Sequence, residues 1–228
     1  MTDLDKAEHY LELLSVIAQT PEIKVILTLF EPDALGNIAY EQYLSSLCGE
    51  NINLKDLDKN WRFRANSSRL NQMYFQQNTI IQRVNSKKII IDCLQGDVVT
   101  LFFGETLAAD FRFVTENMQF SLSHKKHGHH PSGGLGFFLI RYVGESKAMD
   151  LLLNTEIITA KEAEKLGLVN RIMSSENFTS ECISSAKLMC KTNMTTIQLT
   201  KCLTYRYQNE LQNYFRMESQ MMDSPCFH

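Results

Sequence analysis

The sequence predicts an α/β domain with parallel strand pairing, and three observations carry that expectation. The runs "IKVILTLF" (23–30) and "KKIIIDCLQG" (87–96) are short, apolar and rich in β-branched residues, which marks strands buried on both faces. Stretches with helical spacing alternate with them. Residues 3–19 carry Leu11, Leu14 and Ile17 and end before Pro21, and residues 66–85 carry Leu70, Tyr74, Ile81 and Val84 on roughly one side. At 228 residues, with 44% hydrophobic and 21% charged side chains, the chain is long enough for one sizeable core and short for two.

The remaining elements follow in order. "EPDALGNIAY" (31–40) has Pro, Asp, Gly and Asn, so it reads as a loop. Residues 40–65 are polar and mixed and give no readable element. "VVTLFFGETLAAD" (98–110) fits strand or helix by pattern, with Ala108 and Ala109 favouring helix at its end. "FRFVTENMQFSLS" (111–123) alternates as one or two strands, and helices are expected over 135–153 and 160–166. "GLVNRIM" (167–173) is a short strand after Gly167, and 177–220 is helical again. With no linker, repeat or low-complexity segment, the expectation is one domain over 1–228. It divides into an α/β core to about 135 and a helical region over about 136–228.

Composition excludes several function classes. A net charge of −3 without a basic face gives no reason to expect nucleic acid. No apolar run approaches the roughly 18 residues of a membrane helix, and "MTDLDKAEHY" is too polar and acidic for a secretory signal. Cys48, Cys93, Cys182, Cys190, Cys202 and Cys226 are scattered without a CxxC pair. They read as reduced thiols of a cytoplasmic protein.

The densest cluster of chemistry is "SHKKHGHHPSGGLG" (123–136), which holds His124, His127, His129 and His130 beside Lys125 and Lys126. Two histidines one residue apart share a face of a strand. A zinc site, however, needs converging His or Cys ligands, and no cysteine or carboxylate lies nearby in sequence. No metal is expected. Gly133, Gly134 and Gly136 match neither GxGxxG nor GxxxxGK[ST], so they read as a turn before a helix rather than a phosphate cradle.

The specific part of the chain is "RYVGESKAMDLLLNTEIITAKEAEKLGLVNRIM" (141–173). It resembles the crotonase (enoyl-CoA hydratase/isomerase) superfamily in Arg141, Val143, Gly144, Ala148, Leu151, Leu152, Ala160, Glu162, Ala163, Gly167, Leu168 and Val169. Gly96 and Asp110 stand at the family spacing, Phe120, Gly128, Pro131 and Gly134 fall at family positions, and the likeness covers about residues 5–220. Two strands that usually open the family, and a last helix, are not evident. The resemblance implies a core of repeated ββα units wound as a spiral, a C-terminal helical trimerisation region, and assembly as a homotrimer or hexamer.

It also implies an acyl-thioester substrate, on coenzyme A or an acyl carrier protein. No cofactor is implied beyond the coenzyme A or phosphopantetheine that belongs to the substrate. Two backbone N–H groups stabilise an enolate-like oxyanion in the family. By the match of Gly36 one falls on Asn37, and the other, after Gly96, falls on Leu101. Where the family has glycines, this chain has "TLFF" (100–103), which fits either a working oxyanion hole or bulky residues packing a closed pocket. Of the two carboxylates that hydratases use to activate and deliver water, the first falls on Gly104, with Glu105 one residue on and turned by about 100°. The second falls on His124, whose ordinary pKa suits a general acid or base. The pattern argues against a standard hydratase. It is compatible with relatives that lack both acids, such as the decarboxylases of polyketide β-branching, with an isomerase, or with a non-catalytic scaffold or partner subunit.

Overall fold

A computed structural model describes residues 4–48, 57 and 61–223. Cys226, the Cys48 side chain and most of 49–60 lie outside the described residues, and with them part of the unreadable stretch. The chain runs α1 (Leu4–Gln19), β1 (Val25–Leu29), α2 (Asn37–Cys48), α3 (Trp61–Arg64), α4 (Ser67–Asn85), β2 (Ile89–Leu94), β3 (Asp97–Val99), α5 (Thr100–Thr106), β4 (Phe111–Thr115) and β5 (Gln119–Ser121). It continues through α6 (Leu135–Val143), α7 (Glu145–Asn154), β6 (Ile157–Thr159), α8 (Ala160–Lys165), β7 (Arg171–Met173), α9 (Phe178–Met189), α10 (Met194–Thr204) and α11 (Gln208–Asp223).

Two sheets result. One is all parallel in the order β1-β2-β4-β7, and the other has the order β3-β5-β6 with β5–β6 antiparallel. The two apolar runs are neighbours, Val25 opposite Ile89 through Leu29 opposite Cys93. A parallel sheet covered on both faces selects for such runs. Successive β2-β3-α5 and β4-β5-α6 segments supply the ββα repeat, each sending one strand to each sheet. β6 and β7, although beyond residue 136, complete the two sheets.

The ambiguous 98–110 stretch is both things, a strand through Val99 and a helix from Thr100. Expected helix 135–153 divides at Gly144, whose φ of 78° suits a residue without Cβ. Expected helix 177–220 is three helices. The largest departure is α2, where a loop and unreadable sequence were expected. Its buried residues Tyr40, Tyr43 and Leu44 do follow helical spacing. Its N-terminus, however, is satisfied by Asp97, sixty residues away, and not by a local cap. α8 is the opposite case. Thr159 Oγ1 accepts from the Glu162 N–H, and Glu162 Oε2 accepts from the Thr159 N–H at 3.0 Å, a complete capping box written in the sequence.

Buried charges lock the layers. Asp92, in the middle of β2 and fully buried, pairs with the equally buried Arg83 of α4. Leaving either alone would strand a charge in the core. Arg112 of β4 donates Nη1 to the carbonyls of Thr106 (3.1 Å) and Ala109 (2.9 Å), Nη2 to the Tyr142 hydroxyl (2.9 Å), and Nε to the Leu168 carbonyl. It therefore fixes the end of α5 against α6 and the segment after α8. Asp110 accepts from the Ile90 N–H (2.7 Å) and Lys201 Nζ (2.6 Å), tying α10 to the sheet.

Candidate functional site

A cavity of about 700 Å³ lies between α2, α4, α5 and the turn 129–133, with Tyr10 of α1 and Thr28 of β1 also on its wall. Its walls are largely apolar and aromatic, including Phe30, Tyr43, Leu44, Phe63, Met73 and Phe102. Leu101, Glu105, His129, His130 and Glu218 also face it. Size and lining are those of a small-molecule site.

Leu101 is the second residue of α5, in the turn where helix geometry gives an amide no intrahelical acceptor. Its carbonyl accepts from Gln76 Nε2 at 3.2 Å. Leu101 and Phe102 are half-buried in the wall and leave the cavity open. Asn37 is differently placed. Its backbone N–H donates to Asp97 Oδ2 at 2.8 Å, and its side-chain amide donates to the same oxygen at 2.7 Å. Asp97 in turn accepts from the Ser121 hydroxyl, and its N–H donates to Asp33 Oδ1 at 2.7 Å. The structure therefore presents the Leu101 segment to the cavity and closes the Asn37 amide with a carboxylate.

Gly104 has a packing reason to be glycine. A Cβ there would stand 2.3 Å from the Gly133 carbonyl oxygen and 2.6 Å from the Leu135 nitrogen, so no side chain fits between α5 and this turn. A carboxylate at 104 is excluded by backbone, not merely absent. Glu105, the next residue, does reach the cavity. Its Oε2 accepts from Gln76 Nε2 at 3.0 Å, and its Oε1 lies 3.6 Å from Arg83 Nη1. Burial raises its pKa, and Arg83 works against that shift.

His124, expected as the second acid's replacement, does not reach the cavity. Its Nε2 is 3.0 Å from the Leu152 carbonyl, which only accepts, so Nε2 carries the proton. Nδ1 faces the Thr100 hydroxyl at 3.2 Å. Burial lowers its pKa to about 4. A neutral ring with both nitrogens engaged inside the core has no proton to exchange with a cavity ligand. Glu105 and His124 are therefore not brought together.

Sequence reasoning missed two groups. His129 and His130, read as part of a turn, stand in the cavity wall. Glu218 of α11 is 4% exposed and accepts from the N–H groups of Gly133 (2.7 Å) and Gly134 (3.2 Å). Burial pushes its pKa up to about 7 against those two hydrogen bonds. A signal existed for it, since Leu211, Phe215 and Glu218 fall on one helical stripe, and a carboxylate on an apolar stripe needs a partner. Among the described residues no group of three or more His, Cys, Asp or Glu side chains is arranged to hold a metal ion. No helix among them is long and apolar enough to cross a membrane.

A spiral of ββα units carrying an apolar cavity beside a short helix defines the crotonase class of fold. The sequence model of the enoyl-CoA hydratase/isomerase family matches residues 56–228, and the chain belongs to that family. It is 32% identical over 118 residues to the short-chain-enoyl-CoA hydratase of Clostridioides difficile, covering 51% of this chain and 75% of that one. It is 33% identical over 94 residues to the probable enoyl-CoA hydratase 1, peroxisomal, of Arabidopsis thaliana, covering 41% of this chain but only 36% of that one. The enoyl-CoA hydratase from Bacillus halodurans superposes with a TM-score of 0.78 at 20% identity, over 97% of this chain and 84% of the other, a likeness of fold.

Proposed function

We propose that the chain binds an acyl thioester in the cavity beside α5 and stabilises its enolate there, as a lyase or isomerase that does not hydrate a double bond with two carboxylates. The observation that carries this reading is the packing of Gly104. Backbone occupies the space of the first hydratase acid, yet the cavity remains open to Leu101 and to the half-buried carboxyl of Glu105. Enolate formation needs charge stabilisation at the carbonyl oxygen and at most one acid or base. Decarboxylation of an acyl thioester needs the least, because loss of carbon dioxide itself creates the enolate. Isomerisation needs one group that removes and returns a proton, and Glu105, with its pKa raised by burial, suits that task.

The substrate carrier is coenzyme A or an acyl carrier protein, and no further cofactor is required. The reading places the protein in the cytoplasm, in keeping with unpaired Cys93, Cys182, Cys190 and Cys202. It also takes the assembly as a homotrimer or hexamer, supported by Met149 (55%) and Leu153 (61%), which stand exposed on α7.

One observation favours a second reading, a non-catalytic partner subunit. Asp97 holds the Asn37 amide and so closes half of the family's oxyanion hole. The deciding experiment is thermal unfolding in the presence of acetyl-, malonyl- and crotonyl-CoA. A ligand at a hundred times its Kd stabilises by about 2.7 kcal/mol, or roughly 5–10 °C for a chain of this size. We expect such a shift for at least one thioester, without hydration of crotonyl-CoA. Three unshifted melting curves would leave the partner-subunit reading standing.

A further inference from the structure

Glu105 stands in the cavity wall with an incomplete set of partners, and the atoms around it fix where a proton on its carboxyl would sit. Gln76 Nε2 has two N–H groups. One meets the Leu101 carbonyl at 3.2 Å and the other Glu105 Oε2 at 3.0 Å. Oε2 is therefore the accepting oxygen. Oε1 meets only Arg83, whose Nη1 is 3.6 Å away, beyond a hydrogen bond. That guanidinium is already committed, since its Nη2 binds both oxygens of the fully buried Asp92. One cation thus stands between two carboxyls, Asp92 of β2 and Glu105 of α5, and its hydrogen bonds go to Asp92. Tyr10 of α1, the other titratable group that interacts with Glu105, adds no positive charge, and burial raises its pKa. Burial raises the Glu105 pKa more than Arg83 and Gln76 lower it, and the Asp92 charge adds to the rise.

These surroundings favour the neutral acid. Its proton belongs on Oε1, because Oε2 is turned to the Gln76 donor. Arg83 has only donors to offer that oxygen, so among the described residues Oε1–H has no acceptor. The side chain is 17% exposed, and the cavity is what it faces. A half-buried donor without an acceptor is completed by a group that only accepts, and a carbonyl oxygen is such a group. A donor is also what the site lacks, because the Asn37 N–H is held by Asp97 Oδ2 at 2.8 Å. We propose that Glu105 acts as a neutral acid whose Oε1–H donates to the thioester carbonyl oxygen, in place of the Asn37 amide. The proton stays on Glu105 throughout. The hydrogen bond strengthens as that oxygen takes on enolate charge, so it favours the enolate over the bound thioester. The inference rests on the acyl-thioester reading above and deepens it, giving Glu105 the role of a donor rather than of a base.

Difference infrared spectroscopy of the full chain tests this without turnover. At pH 7 the ligand-free protein should show a protonated-carboxyl band that Glu105→Gln removes. Acetyl-CoA and crotonyl-CoA, each labelled with carbon-13 at the thioester carbonyl, are the probes. Binding should move that carbonyl band to lower frequency. Glu105→Gln keeps an N–H donor and is expected to keep at least half of the shift. Glu105→Leu has no donor and is expected to lose most of the shift and about tenfold in affinity, the size of one hydrogen bond. Both variants are checked for native circular dichroism, and the ligand-free band keeps the proposal falsifiable should Glu105→Leu fold poorly. Absence of that band in the wild type overturns the proposal and leaves the thioester reading intact. A shift lost equally in Glu105→Gln and Glu105→Leu, as a base would give, overturns the donor role, and so does a shift retained in both. Binding of neither probe also overturns the proposal, while the melting curves with malonyl-CoA decide the thioester reading separately.

Discussion

Replacing Gly104 by alanine tests why the family's first acid is missing. In an exposed helix interior the change would stabilise by about 0.8–1 kcal/mol, since glycine is the poorer helix former. Here the new Cβ would meet the Gly133 oxygen at 2.3 Å, the Gly133 carbonyl carbon at 2.9 Å and the Leu135 nitrogen at 2.6 Å. All three are backbone atoms, so no side chain can swing aside. α5 and the turn must separate by about 1.1 Å to bring the shortest of these, 2.3 Å, to the 3.4 Å at which ordinary contact begins. That opens the packing of Phe103 and Leu135, both fully buried, and pulls on the Glu218 contacts to Gly133 and Gly134. Overpacking of this kind costs about 1–3 kcal/mol. With the opposing propensity term of about 1 kcal/mol included, we expect a net loss of about 1 kcal/mol, read as a fall in Tm of about 2–4 °C. Thermal unfolding followed by circular dichroism measures it. A Gly104→Ala protein that melts at or above the wild-type temperature would refute the steric argument, and with it the claim that no carboxylate can stand at 104.

Three further outcomes follow from the same geometry. Glu218 has a folded pKa of about 7, above its ordinary 4.5. Its contribution to stability is thus complete below about pH 4.5 and lost as pH rises through 7, by up to about 3 kcal/mol. The difference between wild-type and Glu218→Gln melting temperatures should track that window, and a difference independent of pH would count against it. His124 runs the other way, with a folded pKa of about 4 below its ordinary 6.5. The stability it provides is present above pH 6.5 and lost as pH falls through 4, so His124→Gln should flatten the acid limb of unfolding and leave thioester affinity within about twofold. Asp97→Ala frees the Asn37 amide at a cost of about 1–2 kcal/mol in stability, the scale of a lost helix cap. Tighter thioester binding in that variant would identify Asp97 as an occupant of the oxyanion hole, and unchanged or weaker binding would assign it a capping role alone.

Strands β1, β2, β4, β5 and β7 and helix α8 were legible because their signals are local. β2 is a β-branched apolar run interrupted only by Asp92, and α8 has both partners of its capping box three residues apart. α2 was not legible, because the acceptor that satisfies its first amide is Asp97, which no window around residue 37 contains. The site was legible by segment but not by side chain. Position 101 was assigned through the fixed distance from Gly96, and Leu101 is one of the residues that line the cavity. The direction of His124 is set by the Leu152 carbonyl and the Thr100 hydroxyl, contacts that exist only after the chain has folded. Spacing within "SHKKHGHHPSGG" could not tell which histidine would face inward to the core and which toward the cavity.

The Glu218 clasp has a consequence for the order in which the protein is made. The turn of Gly133 and Gly134, both at positive φ, borders the cavity, and the carboxylate that binds its two amides belongs to the last described helix. A ribosome will have finished both sheets some forty residues before Glu218 emerges. Until then the turn has no anion to hold its amides, and the apolar wall beside it lacks its cover. The cavity's wall at this turn is thus completed only once α11 has been made, and a nascent chain stalled after β7 would carry native strands without that clasp.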